Sequence, residues 1–208
     1  MSRPRSTLFS ILGSLAAFYN RFVRLFFCLE LSAEVRRALA DVAKRCQKAL
    51  GEGNWVPEEN YHLTVRFLGE VEDGKLPELL KLGADVAKKI PPFSLTLDVL
   101  GGFPAAKRAR VLWVGPKEKS PEFSRLVELT EEFLQRLGFP PEEKEALPHV
   151  TLARFKIPRD LSAVLGKEVP AIPRVEVESL TLMRSELRPE GARYTPVSRW
   201  PLGGQNAL

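Results

Sequence analysis

The feature that most constrains this chain is a repeat: His62-Leu63-Thr64-Val65 returns 87 positions later as His149-Val150-Thr151-Leu152. The same offset places Leu25-Phe26-Phe27 on Leu112-Trp113-Val114. With a two-residue deletion, Ser94-Leu95-Thr96-Leu97 meets an identical Ser179-Leu180-Thr181-Leu182. A fold that uses one unit twice, in two similar lobes related by a pseudo-two-fold, accounts for these matches together. Chance matching of common apolar strings is the competing account. Against it, the chain contains 2 histidines, and both stand at equivalent places in the repeat.

Local patterns fill in each unit. Residues 24–31 read as a buried strand. Ser32 is then a helix N-cap, with Val35, Leu39, Val42, Cys46 and Leu50 keeping helical spacing up to Gly51. A strand over 62–68 is expected to stop at Gly69, followed by a helix over 75–90. Phe93, Leu95, Leu97 and Val99 alternate with Ser94, Thr96 and Asp98 as in a half-buried strand. The second unit runs in the same order: a strand at 111–114, a helix from Ser120-Pro121 to Gly138, a strand at 149–152, a shorter helix at 160–165 and a strand at 175–182. The expected fold class is α+β. No Gly/Ser/Pro linker parts the halves, so one domain over 24–202 is expected, with lobes at 24–100 and 108–190 and a tail at 203–208.

Residues 1–23 stand apart. Arg3 and Arg5 precede an apolar run at 8–18, too short to span a bilayer. The stretch reads as an extension outside the fold, with Val23 as an alternative start. An export signal cut after Ser14-Leu15-Ala16 is the rival reading. Cys28 and Cys46, in apolar contexts, read as buried hydrophobes rather than a disulfide or zinc site, and a reducing cytoplasm follows. The net charge of +5 favours anionic partners without naming one.

In a strand, residues i and i+2 share a face. His62 therefore shares one with Thr64, and His149 with Thr151, while Leu63, Val65, Val150 and Leu152 go to the core. Two lobes facing each other bring two imidazoles and two hydroxyls to one cleft. Hydrolysis of a cyclic phosphodiester needs that set. One group takes a proton from water, another gives one to the departing ribose oxygen, and hydroxyl donors hold the non-bridging oxygens. Two unrelated core histidines are the bland alternative. There is no His-Glu-x-x-His, paired-Cys or Ca²⁺-loop motif, so no metal or other cofactor is expected. The lack of a Gly-x-x-x-x-Gly-Lys loop argues against an ATP-driven ligase.

With these motifs the chain resembles the 2H phosphoesterase superfamily, and within it the bacterial and archaeal RNA 2′,3′-cyclic phosphodiesterases, also called 2′-5′ RNA ligases. Other similar segments are Arg24-Leu25-Phe26-Phe27, Trp55-Val56-Pro57-Glu58-Glu59-Asn60, Arg66-Phe67-Leu68-Gly69-Glu70, Phe103-Pro104, Val111-Leu112-Trp113-Val114-Gly115, Pro148 to Arg154, and Gly191-Ala192-Arg193-Tyr194. The resemblance covers roughly 24–202. It implies a bilobal fold of two antiparallel sheets around a central cleft, with helices outside. It also implies hydrolysis of RNA 2′,3′-cyclic phosphate ends to 2′-phosphomonoesters, and ATP-independent 2′-5′ joining in reverse. His62 would be the proton donor and His149 the proton acceptor, an orientation that the repeat itself leaves open. Arg154 matches an arginine used on the phosphate, although strand parity turns it away from His149 unless it curls around at the strand end or lies past a bulge; a surface arginine is the alternative. Arg66 has the parity of His62. Phe27 matches an aromatic under the terminal base, with core packing as the alternative. Lys107-Arg108-Ala109-Arg110 is a candidate phosphate track or a solvated loop. The expected partner is an RNA bearing a cyclic phosphate end, and the protein is expected to be monomeric and not membrane-bound. An RNA-terminus binding protein with little turnover is the alternative of another class; a phosphodiesterase for 2′-5′ oligonucleotides or cyclic nucleotides is the alternative substrate class.

Overall fold

A computed structural model describes residues 22–143, 146–167, 169–189 and 191–204. In chain order the elements are β1 (Phe22–Glu30), α1 (Ala33–Leu50), β2 (Asn54–Trp55), β3 (His62–Glu72), α2 (Leu76–Ala87), β4 (Phe93–Leu95), β5 (Val99–Phe103), β6 (Ala109–Gly115), α3 (Pro121–Arg136), β7 (Val150–Arg159), β8 (Val175–Val177), β9 (Ser179–Arg188) and β10 (Gly191–Pro201). Two of the helices begin at the expected caps. Ser32 Oγ accepts from Val35 N–H at 3.2 Å and Ser120 Oγ from Phe123 N–H at 3.3 Å, satisfying N–H groups that no helical carbonyl can reach. Gly51 closes α1 at φ 75°. Among the described residues, no helix is long and apolar enough to cross a membrane.

Two four-stranded sheets carry the architecture, in the orders β10-β9-β1-β3 and β2-β7-β6-β5, and their paired strands are antiparallel. Their composition differs from the expected lobes at 24–100 and 108–190. β9, from the second half, pairs with β1 of the first; β5, which begins at Val99, pairs with β6 of the second. The helices cross over in the same way, with α1 against β7 and α3 against β3. Each half thus completes the other's sheet.

Faces follow from alternation. Leu25, Phe27 and Leu29 of β1 enter the large core beneath the helices, and Phe26 and Cys28 point the other way, joining Met183 and Tyr194. Register also corrects the expected repeat alignment. Phe27 lies opposite Arg66 and Leu112 opposite Ala153, so Phe27, and not Leu25, is the counterpart of Leu112. The two-residue slip keeps every side chain on its proper face, which is why the pattern did not reveal it.

Four further departures have local causes. Gly69 does not end β3: at φ 70° it sits beside a bulge, and the strand continues to Glu72. The expected strand over 93–99 breaks between β4 and β5, where Asp98 Oδ1 accepts from Lys117 N–H at 2.6 Å. Residues 160–165 form a turn instead of a helix, with Asp160 Oδ1 accepting from Ser162 N–H and Oγ–H at 2.8 and 2.6 Å. The first strand starts at Phe22, two residues inside the expected extension; residues 1–21 and 205–208 lie outside the described residues.

Candidate active site

The two histidines are held alike. His62 opens β3 and donates Nδ1–H to the Asn60 carbonyl at 2.7 Å; His149 immediately precedes β7 and donates Nδ1–H to the Leu147 carbonyl at 2.8 Å. A carbonyl oxygen can only accept, so the proton is on Nδ1 in both rings and the bare nitrogen of each neutral imidazole is Nε2. Aromatic neighbours fix the ring planes. Phe26 lies 4.9 Å from His62, and Tyr194 meets it edge-on at 5.3 Å. Phe103 meets His149 edge-on at 5.2 Å, with Trp113 at 6.1 Å.

A cleft of about 1040 Å³ opens over His62, and its walls include Asn60, Thr151, Arg154 and Tyr194. Thr64 shares the face of His62 and His149 that of Thr151 by strand alternation. His149 lies near enough for its charge to oppose protonation of His62. Arg24 is also in the wall, and no carboxylate is among the described lining residues. Glu30, opposite His62 in register, is occupied: Arg199 Nε and Nη2 donate to it at 2.6 and 2.9 Å, and Thr181 Oγ1 at 2.7 Å. The Arg199 bond is the main reason its carboxyl stays below the usual range.

Arg154 reaches the cleft through a bulge. Trp113 pairs with Thr151 but Leu112 with Ala153, leaving Leu152 as an extra residue. That insertion reverses parity and returns Arg154 to the face of Thr151. The same device occurs in β3, where Cys28 pairs with Thr64 and Phe27 with Arg66, leaving Val65 over. There it turns Arg66 away from the face of His62 and corrects the expectation drawn from its parity. Arg66 ion-pairs with Glu131 of α3 and donates Nη2–H to the Pro140 carbonyl at 2.7 Å.

Phe27 is 0% exposed within the helix-side core and cannot stack on a base. The cleft-side aromatics of that region are Phe26 and the half-exposed Phe67, 5.7 Å apart. Asn60 and Tyr194 belong to segments noted in the sequence without an assigned role, and the structure adds them to the site. Asn60 Nδ2 also donates to the Ala192 carbonyl at 2.8 Å, fastening β10 beside His62. Lys107 and Arg108 are exposed and absent from the cleft wall.

Burial lowers the proton affinity of both imidazoles. For His62 the value falls to about 4, with the charges of His149 and Arg154 adding to the effect; His149 is lowered by burial and then by Arg154. Both are therefore neutral at pH 7, and an arriving anion would oppose the penalty. Among the described residues, no group of three or more His, Cys, Asp or Glu stands in a metal-binding cluster.

Two exchanged sheets, a histidine pose that occurs twice, and a cleft whose described lining holds Arg24, Arg154 and Lys156 but no carboxylate fit a phosphoesterase of the two-histidine class. The chain belongs to the LigT-like phosphoesterases: the family model described as LigT like Phosphoesterase matches it twice, over residues 29–113 and 114–194. An RNA 2′,3′-cyclic phosphodiesterase of Thermus thermophilus is 36% identical over 194 residues, covering 88% of this chain and 92% of that protein. Its counterpart in Aquifex aeolicus is 32% identical over 175 residues, covering 81% and 93%. Among solved structures, E. coli LigT complexed with 3′-AMP superposes with a TM-score of 0.74 at 30% identity, covering 87% of this chain and 98% of that one.

Proposed function

We propose that the protein hydrolyses RNA 2′,3′-cyclic phosphate ends to 2′-phosphomonoesters, without metal or ATP. The observation that carries this reading is the shared pose of the histidines, each with Nδ1–H tied to a carbonyl two residues before it and Nε2 left to act. In the reaction, His149 Nε2 takes a proton from water as its oxygen attacks phosphorus. The P–O3′ bond breaks, and His62 Nε2–H protonates the departing 3′ oxygen. Thr64, Thr151 and Arg154 hold the non-bridging oxygens. The phosphate's charge raises His62 from its depressed value, so substrate binding loads the acid.

The names of the relatives support this substrate, as does the nucleotide bound by the E. coli neighbour. The same geometry accommodates the reverse reaction: a 5′-hydroxyl replacing water, with the same P–O3′ bond broken, leaves a 2′-5′ linkage and needs no ATP. Incubation of the purified protein with a short oligonucleotide ending in a 2′,3′-cyclic phosphate, in EDTA, tests the proposal. It predicts a 2′-phosphate product; a 3′-phosphate product, or loss of activity restored by added metal, would contradict it.

A further inference from the structure

The cleft does not end at the phosphate site. A second cavity of about 480 Å³ adjoins it, and the two share Gln47, Gly53, Asn54 and Lys156 as walls. β7 connects them. Thr151 lies opposite Trp113, and Arg154 opposite Val111 two ladder positions on; Lys156 follows Arg154 at i+2. These three side chains therefore share a face, with successive spacings of roughly 6.6 Å from the rise of an extended strand. Such a row can hold the terminal phosphate with Thr151 and Arg154 and reach the preceding phosphate of an extended single strand with Lys156.

Lys156 is exposed, and its Nζ has no hydrogen bond or ion pair among the described residues, although its carbonyl accepts from Arg110. Trp55, in the edge strand β2 opposite Ala153, also lines the cleft, with its ring set edge-on to Phe155 at 6.2 Å and Nε1–H donated to the Gly51 carbonyl at 3.2 Å. Ile157, 77% exposed, lines the second cavity with Phe155.

We infer that Lys156 and Trp55 form a subsite for the nucleotide preceding the cyclic end, so that the preferred substrate is an oligonucleotide rather than a cyclic mononucleotide. Lys156 grips the phosphodiester that joins the last two nucleotides, and Trp55 receives the penultimate base. This rests on the cyclic phosphodiesterase reading above.

The test compares steady-state kinetics on a 2′,3′-cyclic mononucleotide and on a dinucleotide and a hexanucleotide with the same cyclic end. The second nucleotide should raise kcat/KM by roughly tenfold or more, the worth of one stacked base and one phosphate contact, and the hexanucleotide should add much less. Lys156→Glu and Trp55→Leu should each remove most of that gain through KM, with kcat retained. Turnover of the mononucleotide by each variant reports that its fold and chemistry are intact. Equal kcat/KM for all three substrates, or variants that slow mononucleotide and dinucleotide alike, would overturn the subsite alone. Failure to hydrolyse any of the three would overturn the phosphodiesterase reading and the subsite with it.

Discussion

Placing His62 and His149 beside Arg154 has a kinetic consequence that ordinary histidines would not show. An acid–base pair works when one ring is protonated and the other is not, and kcat/KM reports the free enzyme. His62 is lowered to about 4 and His149 is also lowered, in both cases first by burial. The pH profile of kcat/KM should therefore peak below pH 6.5, the unperturbed histidine value. Arg154 disfavours the charged form of both rings. In Arg154→Ala the profile should move to higher pH as its height falls. An Arg154→Ala profile lower in height but unmoved along the pH axis would show that the arginine does not act on the histidines through its charge.

At the scale of elements, the bulges at Val65 and Leu152 decide which side chains meet the cleft, and paired glycines and aromatics hold the sheets in shape. Gly101 lies opposite Trp113, and a Cβ there would come 2.1 Å from the Trp113 ring. Gly83 of α2 stands in the same relation to Trp200, at 2.3 Å. Alanine at either position should cost about 1–3 kcal/mol in urea unfolding, the usual range for overpacking. The two should separate in kinetics. Trp113 neighbours His149 at 6.1 Å, so Gly101→Ala should also lower kcat, while Gly83→Ala should leave it. Equal kcat in the two variants would detach Trp113 from the positioning of His149.

The same elements mark what could be read from the chain. Helices α1 and α3 were legible because Ser32 and Ser120 cap them and apolar spacing continues to their ends. The faces of His62, Thr64 and Thr151 were legible because a two-residue period decides them. β10 was not: Pro196 and the charged Arg193 and Arg199 do not spell a strand, and its partners come entirely from β9. The bulge that delivers Arg154 was not legible, since an extra residue leaves no mark on apolar alternation. Phe27 and Phe26 are adjacent aromatics, and only the register of β1 tells which faces the cleft.

Over the whole molecule, duplication and exchange are one arrangement. The repeat supplies two similar histidine strands, and the crossing of β9 and β5 into opposite sheets joins the halves so that neither lobe is built from one half alone. Periodicity could show the duplication but not the exchange, because pairing between distant strands is a non-local property. Because β3 and β7 both wall the cleft, the two histidines are expected to act together in one cooperative step. The most direct test of that cooperation is turnover of a cyclic-phosphate oligonucleotide by His62→Ala, His149→Ala and the double variant. Each single change should lower kcat by roughly 10²–10⁴-fold, as for a positioned acid or base. The double variant should be little worse than either, because both proton transfers serve one step. Near-full activity in a folded single variant, or losses that multiply in the double, would contradict the account.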